Sequence, residues 1–333
     1  MGDTQVPVVE LKSSLRAYLS GDPTSDRDVE VAQRIICEIG DSLARWGFVS
    51  VTGHGVDSGL LERAYDVARE VFALSDQQKQ AYEDAIGGRQ RGYTPLLMER
   101  AKGQAVSDLK EFWHVGRELA EGHPYISSGL MRPNLFPQEV ERFRSVMLEL
   151  YQALDELAHQ MLGVIERYLK LQAGQLSELA TDGNSVLRVL HYPALRDLKP
   201  EPGSVRAAAH EDINLLTLLP AATSPGLQLL TRDGDWLDIS PPAGSIILDT
   251  GDMMSAITGG EMPATTHRVI NPTDAAEGSR LSMPFFMHPR PDARLERLVE
   301  GSGGPVEGVG LTAQAFLDQR LAENGLMSVE EGS

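Results

Sequence analysis

Apolar residues recur at helical spacing through the first half of the chain and at strand spacing through the second. Val29, Ala32, Ile36, Ile39 and Leu43 follow one another at steps of three and four after Asp26, which predicts a capped helix ending near Trp46-Gly47. A short strand from Val6 to Val9 precedes it across the polar segment Ser20 to Asp28, and Phe48 to Val51 reads as a second strand closed by Thr52-Gly-His-Gly55. Helical patterns return from Ser58 to Leu74, restart at Ser75, and run again from Pro137 to Leu171, with Phe143, Met147, Leu150, Leu154, Leu157, Met161 and Ile165 on one face. Between them, Arg89 to Pro133 shows no clear period, the character of a functional covering rather than a scaffold.

From Val186 the period shortens. Short β-like runs are separated by Pro, Gly and Asp signals: Val186 to His191, Leu215 to Leu219, Leu227 to Leu230, Trp236 to Ile239, Ser245 to Leu248, Thr265 to Ile270 and Leu281 to Met287. Such a series predicts an antiparallel sandwich or barrel. A last helix is expected from Thr312 to about Glu323, with a frayed tail from Gly325 to Ser333. Helices early and strands late make an α+β chain, a β core wrapped by helices.

Composition narrows the function. The chain has 333 residues, 41% hydrophobic and 23% charged, which is enough for a sizeable core. A net charge of -18 argues against nucleic acid or an anionic membrane surface as the main partner, while leaving room for a local cationic pocket. The single cysteine, Cys37, excludes an internal disulfide; lying among Ile35, Ile36 and Ile39, it is expected to be buried and inert. With no leader pattern and no run approaching a membrane span, the expected location is cytoplasmic.

The candidate chemistry centres on Arg206-Ala-Ala-Ala-His210-Glu211-Asp212, where one strand-like run gives way to the next. Residues two apart on an extended backbone project to the same side, so His210 and Asp212 point together and Glu211 points away. His267, in another strand-like stretch, is the best third partner. Two histidines and a carboxylate on one side of an ion leave its other side open, the facial arrangement of non-haem Fe(II) oxygenases. The competing reading is a turn residue beside a satisfied surface histidine. Further on, Arg280 and Ser282 alternate onto one face, a planar fork plus a hydroxyl suited to grip a carboxylate, although Arg280 alone would also serve an ordinary surface ion pair.

Several motifs then occur in a recognisable order: Val6-Pro-Val-Val-Glu-Leu11, Trp46-Gly-Phe48 through Gly53-His-Gly55, Arg91-Gly-Tyr93, Asp108-Leu-Lys-Glu111, Leu190-His-Tyr-Pro193, His210-Glu-Asp212, Gly226-Leu-Gln228, Gly234-Asp-Trp236, Gly251-Asp252, Thr266-His-Arg-Val269 and Arg280-Leu-Ser282. In this order the chain resembles the isopenicillin N synthase-like family of Fe(II)/2-oxoglutarate-dependent oxygenases, from Val6 to about Arg290. The resemblance implies a distorted double-stranded β-helix, or jelly roll, with iron held by His210, Asp212 and His267. It also implies that Arg280, Ser282 and Tyr192 hold the distal carboxylate of 2-oxoglutarate, and that dioxygen is the second cosubstrate. The expected products are succinate, carbon dioxide and an oxidised small molecule, by class a hydroxylated, desaturated or cyclised natural product.

The expected organisation is one domain over 1–333: a mainly helical part, 1–180, covering the core; the jelly roll with the iron site, 181–290; and a C-terminal helix and tail, 291–333. A monomer is the simple default. Tyr93, His114 and Phe286 fall where the family places substrate contacts. His54, His123, His159 and His288 carry no strong functional case, and Met253-Met254 reads as core filling.

The chain also departs from the family pattern. Plant members often read Asn-Tyr-Tyr-Pro where this chain has Leu190-His-Tyr-Pro193, so a polar cosubstrate contact is missing unless His191 supplies it. Because isopenicillin N synthase uses the same Arg-x-Ser pair for its peptide substrate, an oxidative cyclase without 2-oxoglutarate is an alternative. Against it, the tail from Leu321 contains no Gln to match that enzyme's extra ligand, though Gln314 and Gln319 lie just upstream. A third reading is a jelly-roll binding module without catalysis.

Overall fold

The first amphipathic pattern forms a helix over Asp26–Trp46, capped by Ser25 rather than Asp26, because the Ser25 hydroxyl accepts the Asp28 amide. Gly47 ends it in the left-handed conformation at φ 68°, and its carbonyl accepts the Thr250 amide at 2.9 Å. A Cβ at Gly47 would collide with Thr265 Oγ1, so glycine lets this helix end pack on the segment leading to His267.

The computed structural model describes residues 5–23, 25–100, 106–198, 200–274, 278–299 and 306–323. In chain order the elements are β1 Val8–Glu10, α1 Ser13–Leu19, α2 Asp26–Trp46, β2 Phe48–Thr52, α3 Ser58–Phe72, α4 Asp76–Gln80, β3 Gly92–Thr94, β4 Glu111–Gly116, α5 Pro124–Ser127, α6 Phe143–Tyr168 and α7 Gln175–Ala180. They continue with β5 Val186–Tyr192, β6 Ala207–His210, β7 Leu216–Pro220, β8 Leu227–Leu230, β9 Trp236–Asp238, β10 Ile246–Thr250, α8 Asp252–Ile257, β11 His267–Val269, β12 Arg280–Ser282, β13 Phe285–Met287 and α9 Ala313–Glu323.

Two sheets form the jelly roll. The larger runs β1-β2-β10-β7-β13-β5-β4-β3, with β12 also on β5, and the smaller runs β6-β11-β8-β9. Alternation along β5 explains the layering. Leu187 and Val189 join the large core shared with α2, α3 and α6, whereas Leu190 and Tyr192 join a second cluster between the sheets with Phe48, Phe112, Leu229 and Ile247. The long helix α6 supplies the broadest apolar face, with Phe143, Met147, Leu150, Leu154, Met161 and Ile165 fully buried; each such side chain contributes roughly 1.5–3 kcal/mol.

Several expectations need correction. Arg89 to Pro133 contains β3 and β4, which extend the large sheet; their short runs, broken by loops, carry too few repeats to show a period. The long helix begins at Phe143 instead of Pro137, since the Gln138 amide is taken by the Tyr82 hydroxyl at 2.9 Å. The expected last strand is split into β12 and β13 at Met283-Pro284, where proline has no N–H to donate. Met253 and Met254 are buried as expected, but in a helix, α8. Cys37 is exposed: one residue past Ile36, about 100° round α2, it leaves the buried face. The tail from Gly325 to Ser333 lies outside the described residues.

Candidate metal and cosubstrate centre

His210 ends β6 and His267 begins β11, and antiparallel pairing sets them directly opposite each other. Their ring centres are 4.5 Å apart. Asp212, two residues beyond His210, brings Oδ1 within 3.8 Å of Nε2 of each histidine. One donor atom from each of the three residues lies within 4.8 Å of the others, whereas Glu211 is exposed and bonded to the Thr266 hydroxyl.

The surroundings prepare these atoms for a cation. Nδ1 of His210 lies 2.7 Å from the Ala208 carbonyl oxygen and Nδ1 of His267 lies 3.1 Å from that of Thr265. A carbonyl only accepts, so each Nδ1 carries the proton and each Nε2 keeps its lone pair. Burial, then the neighbouring His210, lowers His267 to about 4, which keeps its imidazole neutral. On the carboxylate, Oδ2 accepts from the Thr217 hydroxyl, which itself accepts from Asn214 Nδ2 at 2.8 Å. Oδ1 thus faces the imidazoles. The backbone carrying Asp212 is packed tightly, since a Cβ at Gly251 would lie 2.6 Å from the Asp212 carbonyl oxygen.

A second group of predicted residues meets on the inner face of the large sheet. Register pairs Arg280 with Tyr192 and Ser282 with Leu190, and all four are buried. The Arg280 guanidinium sits 5.0 Å from the Tyr192 ring centre and Nε donates to the Ser224 carbonyl at 3.0 Å. Its Nη1 is buried without a partner among the described residues. A buried guanidinium nitrogen in that condition costs free energy that an anionic ligand would recover, so the residues fit a carboxylate. Arg280 lines a cavity of about 260 Å³ walled by Leu227, Ile239 and Ile247 of the inter-sheet cluster.

His191 projects to the opposite face, where Nδ1 meets Glu111 Oε1 at 2.7 Å and the ring stacks on Phe72. It cannot replace the polar contact missing at Leu190. Tyr93 lies on that outer side as well, with its hydroxyl 2.5 Å from Glu111 Oε2. His54 joins Gly244 and Val56 through backbone contacts, in keeping with a structural part.

His114 and Phe286 line a cavity of about 80 Å³ together with His210 and Asp212. The same cavity is walled by Glu99, Lys110 and Arg188, to which sequence reasoning gave no role of their own, and by His288, read there only as a rim residue without a strong case. Arg188 was detectable as a lone charge two residues before Leu190 in an otherwise apolar strand; Glu99 was not, because its partner Lys110 lies beyond a stretch without a period. His288 is lowered to about 4 by burial and is neutral.

Comparison with known proteins agrees with this geometry. Residues 6–139 match the model for the non-haem dioxygenase in morphine synthesis N-terminal region, and residues 183–289 match that of the 2OG-Fe(II) oxygenase superfamily. The 2-oxoglutarate-Fe(II) type oxidoreductase hxnY of Emericella nidulans is 30% identical over 276 residues, covering 81% of this chain and 78% of its own. The chain belongs to the 2OG-Fe(II) oxygenase superfamily. A Caulobacter crescentus structure assigned to the 2OG-Fe(II) oxygenase family is 36% identical, with a TM-score of 0.80 over 96% of this chain and 98% of that one. A full-length Neurospora crassa protein solved in complex with alpha-KG shares the fold, at 23% identity and a TM-score of 0.76, with 97% of this chain and 98% of that one covered. The oxygenase is accordingly a jelly-roll enzyme that depends on Fe(II) and 2-oxoglutarate.

Proposed function

We propose that His210, Asp212 and His267 hold the iron, that Arg280 with Ser282 and Tyr192 holds the distal carboxylate of 2-oxoglutarate, and that the oxygenase oxidises a C–H bond of a small molecule. Hydroxylation, desaturation and cyclisation are all within this chemistry, with succinate and carbon dioxide as coproducts. The observation that carries the reading is the meeting of two Nε2 atoms and one carboxylate oxygen at the ends of β6 and β11, each aimed by its own hydrogen bond.

Bound iron supplies the activation of dioxygen, coupled to oxidative decarboxylation of 2-oxoglutarate. The chain's residues hold and orient. Ala208 and Thr265 carbonyls fix the imidazole tautomers, Thr217 fixes the carboxylate, and Arg280 neutralises the cosubstrate's far end. Leu190 and Leu229 help to keep the inter-sheet space apolar.

The synthase-like alternative loses support at α9. Leu317 and Leu321 are its contributions to the cavity, while Gln314 pairs with Asp318 and Gln319 with Glu307 and Glu323. The small cavity and the net charge of -18 favour a small molecule over nucleic acid, with a monomeric, cytoplasmic enzyme as the simplest form. Among the described residues no helix is long and apolar enough to cross a membrane.

The test is iron binding and 2-oxoglutarate-dependent succinate formation by the purified protein. One Fe(II) per chain, with succinate formed only when iron, dioxygen and 2-oxoglutarate are all supplied, is expected. Iron bound as tightly by a protein lacking the Asp212 carboxylate would remove the proposed facial site.

A further inference from the structure

Two arginines that the roles above do not use, exposed Arg100 and partly buried Arg188, line the cavity beside the proposed metal ligands, and only Arg188 is held on the sheet. Arg188 lies on β5 two residues before Leu190, so the face carrying the cosubstrate grip continues into it. Its cradle is specific. Register sets His114 opposite, and His114 Nδ1 lies 2.8 Å from the Arg89 carbonyl oxygen, which leaves an unprotonated Nε2 to accept Arg188 Nε–H at 2.7 Å. Burial, then the Arg188 charge itself, holds His114 well below the ordinary histidine range, so the acceptor stays neutral. The guanidinium carbon is 4.3 Å from the Phe112 ring centre and 5.2 Å from that of Phe286.

This arginine has a long and shared ion pair within the protein. Its Nη1 meets both Glu99 oxygens at 3.3 Å, long for a charge-assisted hydrogen bond, whereas Lys110 Nζ approaches Glu99 to 2.6 Å. Glu99 is thus shared between Lys110 and Arg188, Lys110 also meets Asp108 at 2.8 Å, and no hydrogen bond among the described residues reaches Arg188 Nη2. A partly buried guanidinium held by a neutral imidazole, stacked on rings, only loosely paired and facing a cavity is placed to receive an anion.

We infer that Arg188 anchors the substrate, and that the substrate class is a small carboxylic acid. Its carboxylate takes the Nη1 and Nη2 edge of the guanidinium, displacing the long Glu99 contact while Glu99 keeps Lys110, and its apolar body lies against Phe286. A neutral amide of the same shape offers the fork one accepting oxygen instead of two and no negative charge, so it cannot make the bidentate pair. His114 is a positioning residue for Arg188. The inference rests on the proposed function, which makes this cavity the reaction site.

The experiment is calorimetric titration of the anaerobic Fe(II)-loaded enzyme, saturated with 2-oxoglutarate so that Arg280 is occupied. The probes are benzoate, phenylacetate and cyclohexanecarboxylate, each beside its primary amide. At least one acid is expected to bind, at least about tenfold more tightly than its amide. Arg188→Gln should erase that preference without changing the 2-oxoglutarate titration, and Arg188→Lys, which keeps the charge but loses the fork, should retain part of it. Equal binding of acids and amides, no binding by any acid, or a preference that survives Arg188→Gln would overturn the inference. If wild type fails to bind 2-oxoglutarate at all, the proposed function falls; if it binds normally and the acids show no preference, only the Arg188 assignment falls.

Discussion

Arg280 and Arg188 share one face of the large sheet, yet they are held by opposite means, Arg280 buried and Arg188 only partly so. Arg280 has one backbone carbonyl, one tyrosine ring and an unpartnered Nη1, within a cluster that is otherwise apolar. Arg188 is surrounded by an imidazole, a carboxylate already held by lysine, and two aromatic rings. The first environment suits one small dianion whose far carboxylate completes the packing. The second tolerates exchange, because Glu99 remains paired with Lys110 when a ligand takes its place on Arg188. One end of the face is built for a fixed cosubstrate and the other for a substrate that comes and goes.

The largest expected effect breaks both ends at once. Asp212→Ala should lower iron affinity and turnover by more than the roughly 10–100-fold typical of losing an outer partner of a metal ligand, with the fold retained in circular dichroism. A more selective change is Arg280→Ala, which removes one member of a buried ion pair and should raise the half-saturating 2-oxoglutarate concentration by roughly thirtyfold or more. If that concentration does not move, the carboxylate is gripped elsewhere and the contrast between the two arginines loses its meaning.

Acid stability probes the Arg188 end. His288 is neutral in the fold with a value of about 4, below the ordinary 6.5, so the unfolded chain binds its proton first as pH falls. Its contribution is complete above pH 6.5 and is lost progressively down to about 4. Wild type should therefore lose stability relative to His288→Leu between pH 7 and pH 5, by on the order of 2 kcal/mol in denaturant titrations; parallel pH profiles would show that the imidazole is not buried in this way. The smallest effect is expected for Thr217→Val, which frees Asp212 Oδ2 and should weaken iron binding about tenfold in chelator competition. No weakening would mean that Asp212 is aimed by the backbone alone.

Much of this was legible in the chain because it depends on short repeats. Strand alternation put His210 with Asp212 and Arg280 with Ser282, a further strand-like stretch offered His267 as the third ligand, and the ordered motifs supplied the jelly roll. The remaining parts depend on contacts between distant segments. Ser25 displaced Asp26 as cap because of a single hydroxyl, and Cys37 turned outward because one helical step separates it from the buried stripe. Strands β3 and β4 were hidden by their brevity. The side of β5 on which His191 falls was open to alternation, but its partner Glu111 and its stacking on Phe72 emerged only from the folded sheet. The Glu99, Lys110 and Arg188 network was hidden for the same reason: its members come from three separate stretches.

The most direct test is anaerobic titration of the Fe(II)-loaded enzyme with 2-oxoglutarate, followed through the weak visible charge-transfer band of a chelated keto acid, in wild type and in Arg280→Ala. A saturable band in wild type, shifted to much higher 2-oxoglutarate concentration in the variant, is the predicted result. Stoichiometric iron with no band, or a band that saturates identically in both proteins, would contradict the assignment of the two ends.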